Sequence, residues 1–169
     1  MNDTLVTIIA IFLAAVLMFI FPLVTMSDRT DDVAKVSVQT ATTNLVDKIR
    51  TTGVLYASDY DSFIQELTAT GYNYDVEMQV KTQDSNLGKK VTQSMSTFIG
   101  ETVGHSNYTS QMEQELDSEG KYVFKEGDMV SVKVKNSSTT LSQQLSGQGS
   151  EDTYVISAEH SGIVTTNGN

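Results

Sequence analysis

Cysteine and tryptophan are missing from this chain, proline occurs once and histidine twice. Without cysteine there can be no disulfide, no thiolate metal site and no cysteine nucleophile, although the compartment stays open. Basic residues are scarce as well: 11 Lys and Arg stand against 21 Asp and Glu, a formal net charge of −10. A surface of that sign repels phosphate backbones, so no nucleic-acid partner is expected. Charged residues of either sign make up only 19% of the 169 residues, and Ser, Thr, Asn and Gln fill much of the rest. That polar, weakly charged composition suits an extracellular assembly better than a cytosolic enzyme. The length suits one domain plus an anchor.

Chemistry-bearing motifs are also scarce. No carboxylate stands at metal-motif spacing from His105 or His160. Gly88-Lys89-Lys90 lacks the upstream glycine and the following Ser or Thr of a phosphate loop. Asp28, Asp31 and Asp32 read as an acidic juxtamembrane collar rather than a cation site. Asp59 and Asp61 read as charges at a helix N-terminus. Asn107-Tyr108-Thr109 and Asn136-Ser137-Ser138 match the N-glycosylation sequon, which matters only in a eukaryotic secretory context. No nucleophile–base pair is recognisable, so no catalytic, metal or cofactor-binding residue is expected.

Against these absences stands one long apolar run. Leu5 to Thr25 reads LVTIIAIFLAAVLMFIFPLVT, with no charge. About 20 such residues cross the ~30 Å hydrocarbon layer. A cleaved secretory signal is the rival reading. It would need a basic n-region and small residues before the cleavage site. Here Met1-Asn2-Asp3-Thr4 has no base, and Phe19-Ile20-Phe21 occupies the place of the small residues. A retained transmembrane helix is therefore expected. Pro22 falls late in the run and reads as a bend at the bilayer exit, with a functional hinge as the alternative. Arg29 and Lys35 on the C-terminal flank would, by the positive-inside rule, place the body in the cytoplasm. Two scattered bases weigh less than an acidic body rich in Ser and Thr, so the body is expected outside.

The helix is expected to continue. Asp28 to Thr52 contains neither Gly nor Pro, and Ala34, Val38, Ala41, Leu45 and Ile49 form one apolar stripe. Gly53 is placed to end it, with Lys48 and Arg50 in the last turn. The chain therefore divides into a transmembrane segment (1–27), an amphipathic helix (28–53) and an α+β domain (54–169). In that domain, Ser58-Asp59-Tyr60-Asp61 reads as a capping box. Tyr60, Phe63, Ile64 and Leu67 share a helical face, and Gly71 ends that helix. Tyr74, Val76, Met78 and Val80 alternate with polar residues, as a half-buried strand does. Val91–Val103 is ambiguous and read as helix. A further short helix carries Tyr108, Met112 and Leu116. Val130, Val132 and Val134 mark a second strand, with Tyr122–Phe124 as its partner across Glu126-Gly127-Asp128. Ser137–Gly149 reads as short helix or loop anchored by Leu141 and Leu145. Tyr154, Ile156 and Ala158 mark a third strand, and Ile163-Val164 a fourth after a turn at Gly162. Short strands separated by turns favour a small antiparallel sheet.

An apolar N-terminal helix running into an amphipathic one, followed by a small α+β head, resembles type IV pilin-like subunits. Three features resemble more narrowly the TadE-like proteins of tight-adherence (Flp-type) pilus systems. They are Thr4–Phe12 (TLVTIIAIF), the stripe ending near Arg50-Thr51-Thr52-Gly53, and Tyr60–Leu67 followed by Tyr74–Val80. Pilins begin with a basic leader and carry a glutamate soon after its cleavage point. Here Met1 opens the sequence and Asp3 is the nearest acid. The resemblance implies a non-catalytic structural or assembly component of a pilus-like surface apparatus. Its partners would be membrane lipid, other pilin-like subunits or its own copies, and pilus assembly machinery. It implies that Leu5, Ile9, Phe12, Leu13, Val16, Phe19 and Pro22 serve membrane anchoring and assembly. Val38, Ala41, Leu45 and Ile49 would pack against the head or a neighbouring subunit. A membrane-anchored accessory or sensor domain that never polymerises is the alternative.

Overall fold

The computed structural model describes residues 2–83, 104–146 and 156–168. A single helix, α1 (Asn2–Thr52), runs 51 residues without interruption. At 1.5 Å per residue it is about 75 Å long. Pro22 lies inside it; its ring removes one backbone donor, and the helix continues on both sides. Threonine is an indifferent helix former, and here its hydroxyls are turned back onto the helix. Those of Thr40, Thr42, Thr43, Thr51 and Thr52 each donate to the carbonyl four residues earlier at 2.7–2.9 Å. For Thr42, which is fully buried, that bond satisfies the side chain.

Gly53 ends α1 as expected. Its φ is +69°, and its N–H donates to Ile49 O at 2.8 Å. A Cβ there would lie 2.3 Å from the carbonyl oxygen of Thr166, so the position also depends on close backbone approach. Residues 164–168 return to this corner. The amide and hydroxyl of Thr165 both donate to Arg50 O at 2.9 Å, satisfying a terminal carbonyl of α1.

The remaining elements are β1 (Val54–Tyr56), α2 (Ala57–Thr68), β2 (Tyr74–Gln83), β3 (Gly104–Tyr108), α3 (Thr109–Glu119), β4 (Lys121–Val123), β5 (Met129–Asn136), α4 (Leu141–Ser146) and β6 (Ser157–Ile163). The fold is α+β, as the sequence predicts. A four-stranded antiparallel sheet has the order β3-β2-β5-β6, and β1 pairs with β4 in a separate two-stranded sheet. The main register aligns Val76, Met78 and Val80 with Val134, Val132 and Val130, and those with Ala158, His160 and Gly162. Alternation puts these residues on one face. The helical layer covers that face: Val38, Ala41, Leu45, Val46 and Ile49 of α1, Phe63 and Leu67 of α2, and Met112 and Leu116 of α3 join the strand residues in one core. The opposite face is charged, with Lys135 Nζ 3.4 Å from Glu77 Oε1.

Several expectations need correction. Tyr122–Phe124 does not pair with β5. The turn at Gly127 (φ +93°), held by the Lys125 amide on Asp128 Oδ2 at 2.9 Å, sends the chain elsewhere, and β4 aligns Val123 with Val54. Ser58 does not cap α2. That helix starts one residue earlier, at Ala57, whose N–H is satisfied from outside by Gly120 O at 2.9 Å. Tyr108 precedes α3 as its N-cap and is exposed, while residues 104–108 form β3. Gly162 is no turn, since β6 runs through it to Ile163. Leu145 is exposed, and α4 is fixed instead by the buried Thr140 and Gln143. There the Thr140 amide donates to Gln143 Oε1 at 2.9 Å and the Gln143 amide to Thr140 Oγ1 at 3.4 Å, a capping box. The expected helix at Val91–Val103, Gly88-Lys89-Lys90 and Tyr154 lie outside the described residues.

Candidate functional site

Two halves of α1 have different surroundings. From Ser27 onward it carries buried side chains of the head. Val38 and Ile49 have no exposed surface, and Ala41 and Leu45 are nearly as buried. Before Ser27 no described residue is buried. Leu5, Ile9, Leu13 and Pro22 are exposed, Phe12 is 70% and Phe19 79% exposed, and Val16 is half-buried by its helical neighbours. The most apolar 18-residue window has a mean hydropathy of 2.9 and none of it is buried. Among the described residues this is the one helix long and apolar enough to cross a membrane. A core helix of a globular domain would bury that surface, as the second half does.

At the junction of the two halves lies a buried carboxylate. Asp31 was expected in an exposed acidic collar with Asp28 and Asp32. Those two are exposed, but Asp31 is 4% exposed. Its Oδ1 accepts the Tyr72 hydroxyl and its Oδ2 the Ser142 hydroxyl. One acid thus ties α1 to the α2–β2 loop and to α4. The phase of the sequence could have revealed it, because Asp31 lies three and seven residues before Ala34 and Val38. One turn earlier, Ser27 is buried and its hydroxyl has no hydrogen-bond partner among the described residues.

Farther along, Gln39, Thr42 and Thr43 of α1 and Lys133, Ser157, Ala158, Glu159 and His160 line an open polar cleft of about 340 Å³. His160 Nε2 stands 4.0 Å from Asp47 Oδ1, an ion pair only when the ring is protonated. Ser157 and His160 are three residues apart on one strand, hence on opposite faces, and no hydroxyl–imidazole contact forms. No group of three His, Asp or Glu among the described residues is placed to hold a metal ion.

Other described polar groups of the head join its elements to one another. Tyr60 donates to Glu113 Oε1 at 2.8 Å, joining α2 to α3, and burial followed by that bond pushes its hydroxyl well above the ordinary phenol range. Asp59 pairs with Lys48 at 2.7 Å. Neither sequon asparagine presents a free side chain. Asn107 Nδ2 donates to the Tyr122 hydroxyl at 2.8 Å, while Asn136, 5% exposed, donates to Ser138 O and accepts the Ile156 amide. No protein-family model, curated protein or solved structure matches the chain.

Proposed function

We propose that this protein is a non-catalytic, membrane-anchored structural or assembly subunit of a pilus-like surface apparatus, with its head outside the cytoplasm. The observation that carries the reading is the division of labour within α1. One continuous helix is the spine of the head over its second half and leaves its apolar surface largely uncovered over its first. Lipid covers that half while the subunit is stored in the bilayer. Neighbouring helices cover it when subunits assemble. The rigid connection through Ser27–Ala34 makes head and anchor move as one body, as a subunit passing from membrane to filament requires.

The test uses small-to-large changes at Ala10, Ala14 or Ala15, which leave the head untouched and keep the helix apolar, yet disturb close helix packing. The measurement is recovery in sheared surface filaments beside the level in membranes. Normal membrane levels with reduced recovery support the proposal. A wild type that never leaves the monomeric membrane pool overturns it in favour of an anchored accessory or sensor domain.

A further inference from the structure

Within the head-bound half of α1, side chains sort by face. Asp31, Ala34, Val38, Ala41, Leu45 and Ile49 are buried. On the opposite side Val33 and Val36 are 70% and 62% exposed, the two large apolar side chains that this half leaves uncovered. They continue a longer line. Counting back from Val36 in alternating steps of three and four residues passes Val33, Arg29, Met26, Pro22 and Phe19, every one exposed. A repeat averaging 3.5 residues is the spacing of a helix–helix seam.

We infer that this seam binds a second copy of the chain in parallel, so that two α1 helices pair back to back with their heads pointing outward. Lipid cannot cover the whole seam. Leu5 to Val36 is ~47 Å of helix at 1.5 Å per residue, against a hydrocarbon layer of ~30 Å. Even a tilt of about 40° accommodates only ~26 residues. Sinking the helix as far as Val36 would carry Asp28, Arg29, Asp32 and Lys35 into hydrocarbon. The partner must therefore span the membrane and continue above it along the same line, as α1 itself does.

Two further features favour a copy of this chain. Among the described residues, the core of the head packs on the other side of α1, which leaves Val33 and Val36 open to a back-to-back approach. Arg29, the one charge in the seam, has Asp28 and Asp32 one residue before it and three after it, and a parallel copy brings the same acids to the level of Arg29. The pair stands independently of the pilus reading, because two chains joined in the bilayer need no filament.

The absence of native cysteine allows a direct test on the full-length protein in membranes. Met26→Cys, Val33→Cys and Val36→Cys are each oxidised mildly, with Lys35→Cys as an exposed control off the seam. Disulfide-linked dimer at the three seam positions and none at the control supports the pair. Absence at the seam, or equal yields at all four, overturns it. A second readout is Val33→Asp with Val36→Asp: loss of dimer in detergent with an unchanged unfolding midpoint of the head supports the pair, and persistence of dimer overturns it. Seam cross-links without sheared filaments would end the filament reading alone. Filaments without seam cross-links would end this one alone.

Discussion

The first 25 residues of α1 and the 25 that follow Ser27 belong to one helix, yet they are stable for different reasons. In the first, the backbone is satisfied within the helix apart from its opening turn and the donor missing at Pro22, and no side chain needs a neighbour from the head, so any apolar sequence that crosses hydrocarbon would serve as the anchor. In the second, Val38, Val46 and Ile49 fill positions with no exposed surface, and size and shape are fixed by β5, β6 and α2. The first half is specified by composition, the second by complementarity. A continuous helix therefore need not be a single thermodynamic unit.

Substitutions should separate the halves. The largest effect is expected from Ala14→Arg combined with Leu17→Arg, each costing about 2.5–3.5 kcal/mol on insertion scales. The chain should leave the membrane fraction while the unfolding midpoint of its head stays unchanged. Ile49→Ala reverses the pattern. It should cost the head about 2–5 kcal/mol in denaturant titration, whereas Ile9→Ala should leave that titration where it was. If Ile9→Ala also destabilises the head, the two halves are one cooperative unit.

At the boundary the effect is smaller. Asp31→Ala leaves the Tyr72 and Ser142 hydroxyls without their acceptor and should cost about 1–3 kcal/mol. Asp28→Ala and Asp32→Ala, exposed on the same turns, should change stability by no more than about 0.5 kcal/mol. Equal effects at all three acids would restore the picture of a collar.

The smallest effect is confined to the head and to alkaline solution. The hydroxyls of Tyr60, Tyr74 and Tyr122 are all held above the ordinary value of 10.0, in each case first by burial. A raised pKa means that the folded state keeps its proton after the unfolded chain has lost it. That stability is complete below pH 10 and declines as pH rises further. Tyr60 is only half-buried, so its share is a fraction of the roughly 1.4 kcal/mol per pH unit of a fully protected group. Tyr60→Phe should lose less stability than the wild type between pH 9 and pH 11, while membrane association stays constant across that range.

Much of this comparison could be read from the residues. The stripe from Ala34 to Ile49 and the alternations in Tyr74–Val80 and Val130–Val134 are periodic, and periodicity reports which face is buried. What escaped was set by distant partners. β1 and β4 are three residues each, too short for a period, and they exist because each supplies the other's hydrogen bonds. Gly162 looked like a turn, yet it lies in β6, one residue before its end, and the glycine makes room for the Arg50 side chain, whose Cδ would stand 2.3 Å from a Cβ there. Asp31 was grouped with its acidic neighbours by charge, when its helical phase assigned it to the core. Anchor and stripe were legible. The clamp at their junction was not, because its other members, Tyr72 and Ser142, lie 41 and 111 residues away.

The bond from Thr165 to Arg50 spans 115 residues, and the Arg50 guanidinium reaches Ile163 O at 3.2 Å across 113. Contacts of that span slow folding, because a long loop must close before they form. During synthesis α1 emerges first and can enter the bilayer at once, but its second half has no sheet to lie on until β5 and β6 have followed. The head therefore stays extensible for nearly the whole time the chain is being made. On the proposed orientation, with the head outside the cytoplasm, that delay suits a polypeptide that threads through a narrow membrane channel before it folds, the anchor already in place and the closing strand arriving last.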